Sequence, residues 1–295
     1  MIVGGLIFLA PAGCEDDSVG PNRGHTEAVQ ITDGPVIDSI PTWSPDGTKL
    51  AFSRNLRIWI IPSTGGTLTP FPNSYNGDYS PQWSPDGSKL AFGSTRSGHN
   101  DIWVSPIEGG TPLQLTANSR NNLAPSWSPD GAKIAFASDR LGSPFQIWVV
   151  PASGGDATQL TFDIDGDAFG PVWSPDGGRI AFTKAAEMWV IPAKGGSATR
   201  LTTNGYTFDG AADWTLDGDK IGFSSDRSGK RQVWIMDLKT RTVAQMTFGP
   251  LSHSGPIWSP NGDKFAFTSW DGFHSYIWVM PVLELSRWFK GPPTE

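Results

Sequence analysis

Cysteine is nearly absent: Cys14 is the only one in 295 residues. That excludes an internal disulfide and any zinc cluster built on cysteines. Charge is sparse, at 17%, and 22 Lys+Arg against 29 Asp+Glu leave a net charge of -7, so the chain has no electrostatic footprint for nucleic acid. Long hydrophobic runs are missing too. The apolar N-terminus, MIVGGLIFLAPAGC, places 13 residues before Cys14, short of the roughly 18 needed to span a bilayer. No Gly-x-Ser-x-Gly elbow, His-Glu-x-x-His pair or phosphate-binding glycine loop occurs, and His99, His253 and His274 match no standard metal spacing. Plentiful instead are 35 glycines and 25 prolines, with 12% aromatic residues. This is the composition of a turn-rich all-β chain that buries a core.

The first residues resemble a bacterial lipoprotein signal, with an apolar stretch and an Ala-Gly pair directly before Cys14. They depart from that pattern in having no Lys or Arg ahead of the run and Pro11 where Leu is usual. Residues 1–13 are therefore expected to be a signal peptide, Cys14 the lipidation site, and 14–26 a polar tether. The expected location is the periplasm or cell envelope, with membrane contact through the lipid anchor only.

One unit recurs six times. Its opening reads TWSPDGTKLAF, QWSPDGSKLAF, SWSPDGAKIAF, VWSPDGGRIAF, DWTLDGDKIGF and IWSPNGDKFAF, beginning around Trp43, Trp83, Trp127, Trp173, Trp214 and Trp258. A second tryptophan follows in each, at Trp59, Trp103, Trp148, Trp189, Trp234 and Trp278, so 12 of the 14 tryptophans are periodic. Ser-Pro-Asp-Gly suits a tight hairpin, since proline presets one corner and glycine accepts the left-handed conformation at the other. The spacing predicts four short strands per unit, A to D, and four-stranded repeats of this length close into a β-propeller. The tryptophans are expected to pack between blades.

Unit six lacks its fourth strand after Pro281, whereas Ala28-Val29-Gln30-Ile31-Thr32 near the start resembles the ATQLT of unit three. The N-terminal strand is thus expected to complete blade six. The propeller would occupy 27–282 and a tail 283–295. Blade one departs from the Leu-Thr pattern of strand D with TPFP, which fits only an outer edge.

These six W-S-P-D-G repeats resemble the TolB-like six-bladed propellers and related WD-like propellers of exported bacterial proteins. The resemblance runs from about residue 27 to 282. It implies the fold more firmly than the function. The remaining length leaves no room for the N-terminal α/β domain of TolB or for the hydrolase domain of the prolyl-oligopeptidase relatives.

Such a ring places the D-to-A and B-to-C loops on one face, at the channel mouth, and the A-to-B and C-to-D hairpins on the far face. Five residues before each first tryptophan stand Asp38, Asp78, Asn122, Ala168, Asp209 and His253, with Asp167 beside Ala168 and the aromatics Tyr79, Phe169 and Phe208 adjacent. A mostly acidic ring of this kind has three readings: loop caps, a dock for a partner with a basic element, or a seat for a divalent cation. No other cofactor is expected. Arg96, Arg140 and Arg227, in Ser-x-Arg loops, are either surface ion-pair partners or contact residues. The function expected is an exported scaffold that binds an envelope protein or peptide through the mouth face. The alternative is a metal-dependent carbohydrate-active lyase or hydrolase using the same mouth, for which no catalytic residue stands out.

Overall fold

The computed structural model describes residues 28–117, 120–142, 144–162, 166–203 and 208–282. The expected signal peptide at 1–13, Cys14, the expected tether and the expected C-terminal tail at 283–295 lie outside the described residues. Six four-stranded antiparallel sheets follow one another around a ring, with no helix among the described residues. In blade one, strand A is Asp38–Trp43, B is Lys49–Arg54, C is Arg57–Pro62 and D is Thr69–Pro70. Strands A line the channel and the two- or three-residue D strands form the rim.

Closure is as the sequence predicts. Val29 pairs with Val279 and Gln30 with Trp278, so the N-terminal strand is the fourth strand of blade six. The Leu-Thr motif of strand D has a specific job, in that Thr116, Thr161, Thr202 and Thr247 each accept the first core N–H of strand C through the hydroxyl. Thr32 does the same for Ile277 at 2.9 Å. Blade one, with TPFP in place of Leu-Thr, uses Ser74 on the Ile58 N–H at 2.8 Å.

At the A-to-B hairpins, Ser44 Oγ accepts the Lys49 N–H at 2.9 Å and donates to Asp46, while Gly47 takes the left-handed turn at φ 70°. The same serine and aspartate recur in the next three blades. The Ser44 and Ser84 hydroxyls, with backbone and side-chain donors at residues 48 and 88, hold the Asp46 and Asp86 carboxyls down at about 2.

The core is divided among the seams between blades. Strand B reads Leu-Ala-Phe without polar alternation because neighbouring blades cover both of its faces. Phe52, Phe92, Phe136, Phe182, Phe223 and Phe267 are buried throughout. In five clusters the alanine of one blade supports the first tryptophan of the next: Ala266 with Trp43, Ala51 with Trp83, Ala91 with Trp127, Ala135 with Trp173 and Ala181 with Trp214. At the sixth seam the seat is Gly222, where an added Cβ would lie 3.4 Å from Trp258. A larger residue at any seat would push two blades apart.

The seams alternate. Trp43, Trp127 and Trp214 donate their indole N–H to the preceding blade's Ile257, Gln82 and Val172 carbonyls at 3.0 to 3.1 Å. The indole nitrogens of Trp83, Trp173 and Trp258 are buried without a partner. At two of those seams the backbone compensates, with Trp173 N–H bonded to Ser126 Oγ and Trp258 N–H to Asp213 Oδ2 at 2.8 Å.

Sequence reading did not anticipate a bulge in every strand A. The A-to-B register breaks in all six blades, and the residue three before each first tryptophan is left-handed: Ile40, Ser80, Ala124, Gly170, Ala211 and Gly255, at φ 50 to 64°. The bulge adds twist, which lets short strands wind around a narrow channel. Ser80 and Gly255 also turn their N–H groups to Ser53 and Ser224 of the preceding blade.

Candidate functional site

The residues of the sequence-predicted acidic ring do stand together at the mouth end of strands A, but they are enclosed. Asp38, Asp78, Asn122 and Asp209 have no exposed surface. The arginines expected in separate loops, joined by Arg54 at the end of strand B, are their partners. Arg54 grips Asp38 through Nε at 2.7 Å and Nη2 at 2.8 Å, Arg96 reaches Asp78 at 2.7 Å, and Arg227 reaches both oxygens of Asp209 at 2.9 and 3.0 Å. Two groups of residues that sequence reading kept apart thus form one repeated device.

Its construction follows from the strand pairing. The acid opens strand A, directly opposite the end of strand B, so a cation there or two residues later folds back over it. In blades two, three and five the Ser-x-Arg loop fixes the fold-back: Ser94, Ser138 and Ser225 each accept the arginine's own N–H and its Nε. The guanidinium then lies over two rings, Phe92 and Trp103 for Arg96, Phe136 and Trp148 for Arg140, and Phe223 and Trp234 for Arg227, at 4.5 to 5.2 Å. Each lid combines an ion pair or hydrogen bond with cation–π contact. Arg54 was missed in the sequence because it ends strand B itself, outside any Ser-x-Arg loop.

The remaining blades vary the device. Blade three has Asn122 under Arg140, at 3.1 Å. Blade four has Ala168 opposite Lys184, whose ammonium lies 5.5 Å from the Trp189 ring. Blade six has His253, set edge-on to Phe267 at 5.2 Å; burial pulls its imidazole down to about 4, so it is neutral, and its Nδ1 is buried without a partner.

The other candidates scatter. Asp167 is exposed and accepts the Phe145 N–H at 2.7 Å, acting as a loop cap. Tyr79 packs over Gly93, donates to Asn100 Oδ1 at 3.0 Å, and is raised well above a usual phenol by burial and by the nearby Asp101 and Asp78. Phe169 stacks on Phe145 at 4.7 Å, and Phe208 carries the Arg231 guanidinium at 4.4 Å. His99 is exposed, and His274 lies 3.8 Å from Asp271. Among the described residues, no group of three or more His, Cys, Asp or Glu could hold a metal ion.

Alongside polar loop residues, the mouth face exposes large apolar side chains. Among the described residues, eight of the twelve exposed large hydrophobic side chains lie there: Ile37, Leu56, Tyr75, Leu141, Phe162, Phe248, Trp270 and Phe273. Five of them form a crescent across blades six, one and two. Trp270 and Ile37 both pair with Ser275, the Ile37 carbonyl accepts the Asn55 N–H beside Leu56, and the Leu56 carbonyl accepts the Gly77 and Asp78 N–H groups beside Tyr75. Phe273, 83% exposed, stands at the tip of the blade-six loop. Blade six also rises above the others, because its strands A to C have seven residues where the other blades have six.

Two overlapping stretches, residues 57–187 and 163–284, match the family model of the TolB beta propeller domain. No curated protein matches the chain. Among solved structures, a protein of Agrobacterium tumefaciens assigned as TolB is 26% identical, with a TM-score of 0.71 over 85% of this chain and 93% of that one. TolB of Acinetobacter baumannii is 25% identical, with a TM-score of 0.66; the match covers 84% of this chain and 63% of the length of that protein. An oligogalacturonate lyase of Vibrio parahaemolyticus shares the fold, at 12% identity and a TM-score of 0.61 over 89% and 95% of the two chains.

Proposed function

Starting from the fact that this chain belongs to the TolB β-propeller family, we propose that it is an exported binding scaffold of the cell envelope, anchored through lipid on Cys14, and that its mouth face docks an envelope protein or peptide. The observation that carries this reading is the crescent of Ile37, Leu56, Tyr75, Trp270 and Phe273. Aromatic side chains exposed together, rimmed by polar loops, supply the buried area from which binding hot spots are made. The buried Asp–Arg pairs serve this face from beneath, holding the loops in one arrangement so that little ordering cost falls on binding.

The test uses a photo-crosslinking residue at Phe273 in the full chain, and a control at Leu216, which is exposed on the far face. A crosslink to one envelope protein from position 273, absent from position 216 and lost with Trp270→Ala, is the expected result. Equal crosslinking from both faces would refute the docking assignment. Cys14→Ser should move the protein from the membrane fraction to the soluble one, and unchanged fractionation would remove the anchor from the proposal.

A further inference from the structure

The chain holds several versions of one device, and comparing them isolates blade three. In blades one, two and five a guanidinium closes on a buried carboxylate. Arg140 is set up in the same way, with its N–H and Nε on Ser138 Oγ and its plane over Phe136 and Trp148, yet its partner is the neutral amide oxygen of Asn122. Among the described residues Arg140 makes no ion pair. The carboxylate whose charge it feels is Asp101, one group further off: Asn122 Nδ2 donates to Asp101 Oδ1 at 3.0 Å, and Asp101 is already engaged by Ser97, Gln114 and Thr116.

The titration directions match this geometry. Hydrogen bonding to Asp38 raises Arg54, whereas burial lowers Arg140. A half-buried guanidinium whose desolvation is not repaid by an adjacent carboxylate gains most from one supplied by a ligand. The surroundings indicate what else the ligand carries, because Leu141 next to it is 77% exposed, and Phe162, which follows strand D of the same blade on the same face, is 73% exposed.

We propose that Arg140 is an anion-recognition residue of the mouth face, taking a carboxylate flanked by aliphatic side chains, as in an acidic residue within an apolar peptide segment. This rests on the docking role proposed for the mouth face and gives the partner an acidic anchor. It reverses the basic partner expected from an open acidic ring, since the Asp38, Asp78 and Asp209 carboxylates already have their cations. The carboxylate would meet the guanidinium edge that Asn122 and Ser138 leave unused.

The probes are two blocked tripeptides, acetyl-Leu-Glu-Leu-amide and acetyl-Leu-Gln-Leu-amide, titrated into the full chain while the Arg140 Nε–H signal is followed by NMR. The glutamate peptide should shift that signal and bind at least about fivefold more tightly than its glutamine isostere. Arg140→Gln should abolish the preference. Asn122→Asp, which installs the internal carboxylate found in blades one, two and five, should abolish it too while leaving the arginine in place. Equal binding of the two peptides, or a preference that survives either substitution in folded protein, would overturn the proposal. If Asn122→Asp fails to fold beside Asp101, Arg140→Gln decides alone. The crosslink from position 273 reads a different sector, so the docking role can stand or fall separately.

Discussion

Thr32 closes the ring onto Ile277: its hydroxyl accepts the Ile277 N–H at 2.9 Å, and Ile31 N–H bonds the Ile277 carbonyl at 2.8 Å. Thr32→Val keeps the shape but leaves that N–H buried without a partner, which should cost about 1–3 kcal/mol. Thr202→Val, the same change inside blade four, is the control. In chemical denaturation both should lose stability. Deleting residues 28–32 should lose more than either, because it exposes the whole edge of the last strand C. A deletion as stable as the parent protein would contradict closure by this strand.

Asp209→Asn leaves Arg227 half-buried over Phe223 and Trp234 without its carboxylate. Breaking one side of such a pair costs about 3 kcal/mol. The double change Asp78→Asn with Asp209→Asn should therefore lower the melting temperature markedly. An unchanged melting temperature would show that the lids contribute nothing to the fold.

Asp213 has an inverted pH signature. Burial raises its carboxyl to about 7, against the opposing pull of the Trp258 and Trp214 N–H groups. A folded value above the unfolded one means that the native state binds the extra proton, so this contribution to stability is present in acid and fades as pH rises from about 4 to about 7. Three units would correspond to about 4 kcal/mol, but Asp213 keeps some exposed surface and about 2 kcal/mol is the better expectation. Asp213→Asn retains an acceptor for Trp258 N–H and should flatten the pH dependence while raising stability at pH 8. A parallel pH profile in the variant would rule this out.

Ile40 is a β-branched residue at φ 55°, where its five counterparts are Gly, Ala or Ser. It is 42% exposed toward the channel, so its side chain gains little from packing. Relief of strain outweighs the entropy lost with glycine, and Ile40→Gly should stabilise by about 1 kcal/mol. Calorimetry showing a loss would mean that Ile40 packs across the channel.

The architecture was legible in the sequence because each blade is a local unit with its own punctuation. Ser-Pro-Asp-Gly turns, glycine pairs and two tryptophans per repeat specify four strands before any long-range contact is known. Even closure could be read, since one strand was missing at one end and spare at the other. The bulges were not legible: Ile, Ser, Ala and Gly share no side-chain signature, and the left-handed residue is forced by coiling six strands around one axis.

The charged ring shows the same division at the candidate site. The sequence determined which residues stand at the mouth end of each strand A, because the repeat fixes their register. Only the tertiary structure decided what they do there. Antiparallel pairing of A with B brings an arginine 16 to 18 residues later over each acid, and adjacent blades bury the result. Charge counted along the chain gives an acidic mouth, whereas charge paired in space neutralises Asp38, Asp78 and Asp209 and leaves Arg140 over an amide, because electrostatic character depends on through-space distance and desolvation, which a linear sequence does not contain.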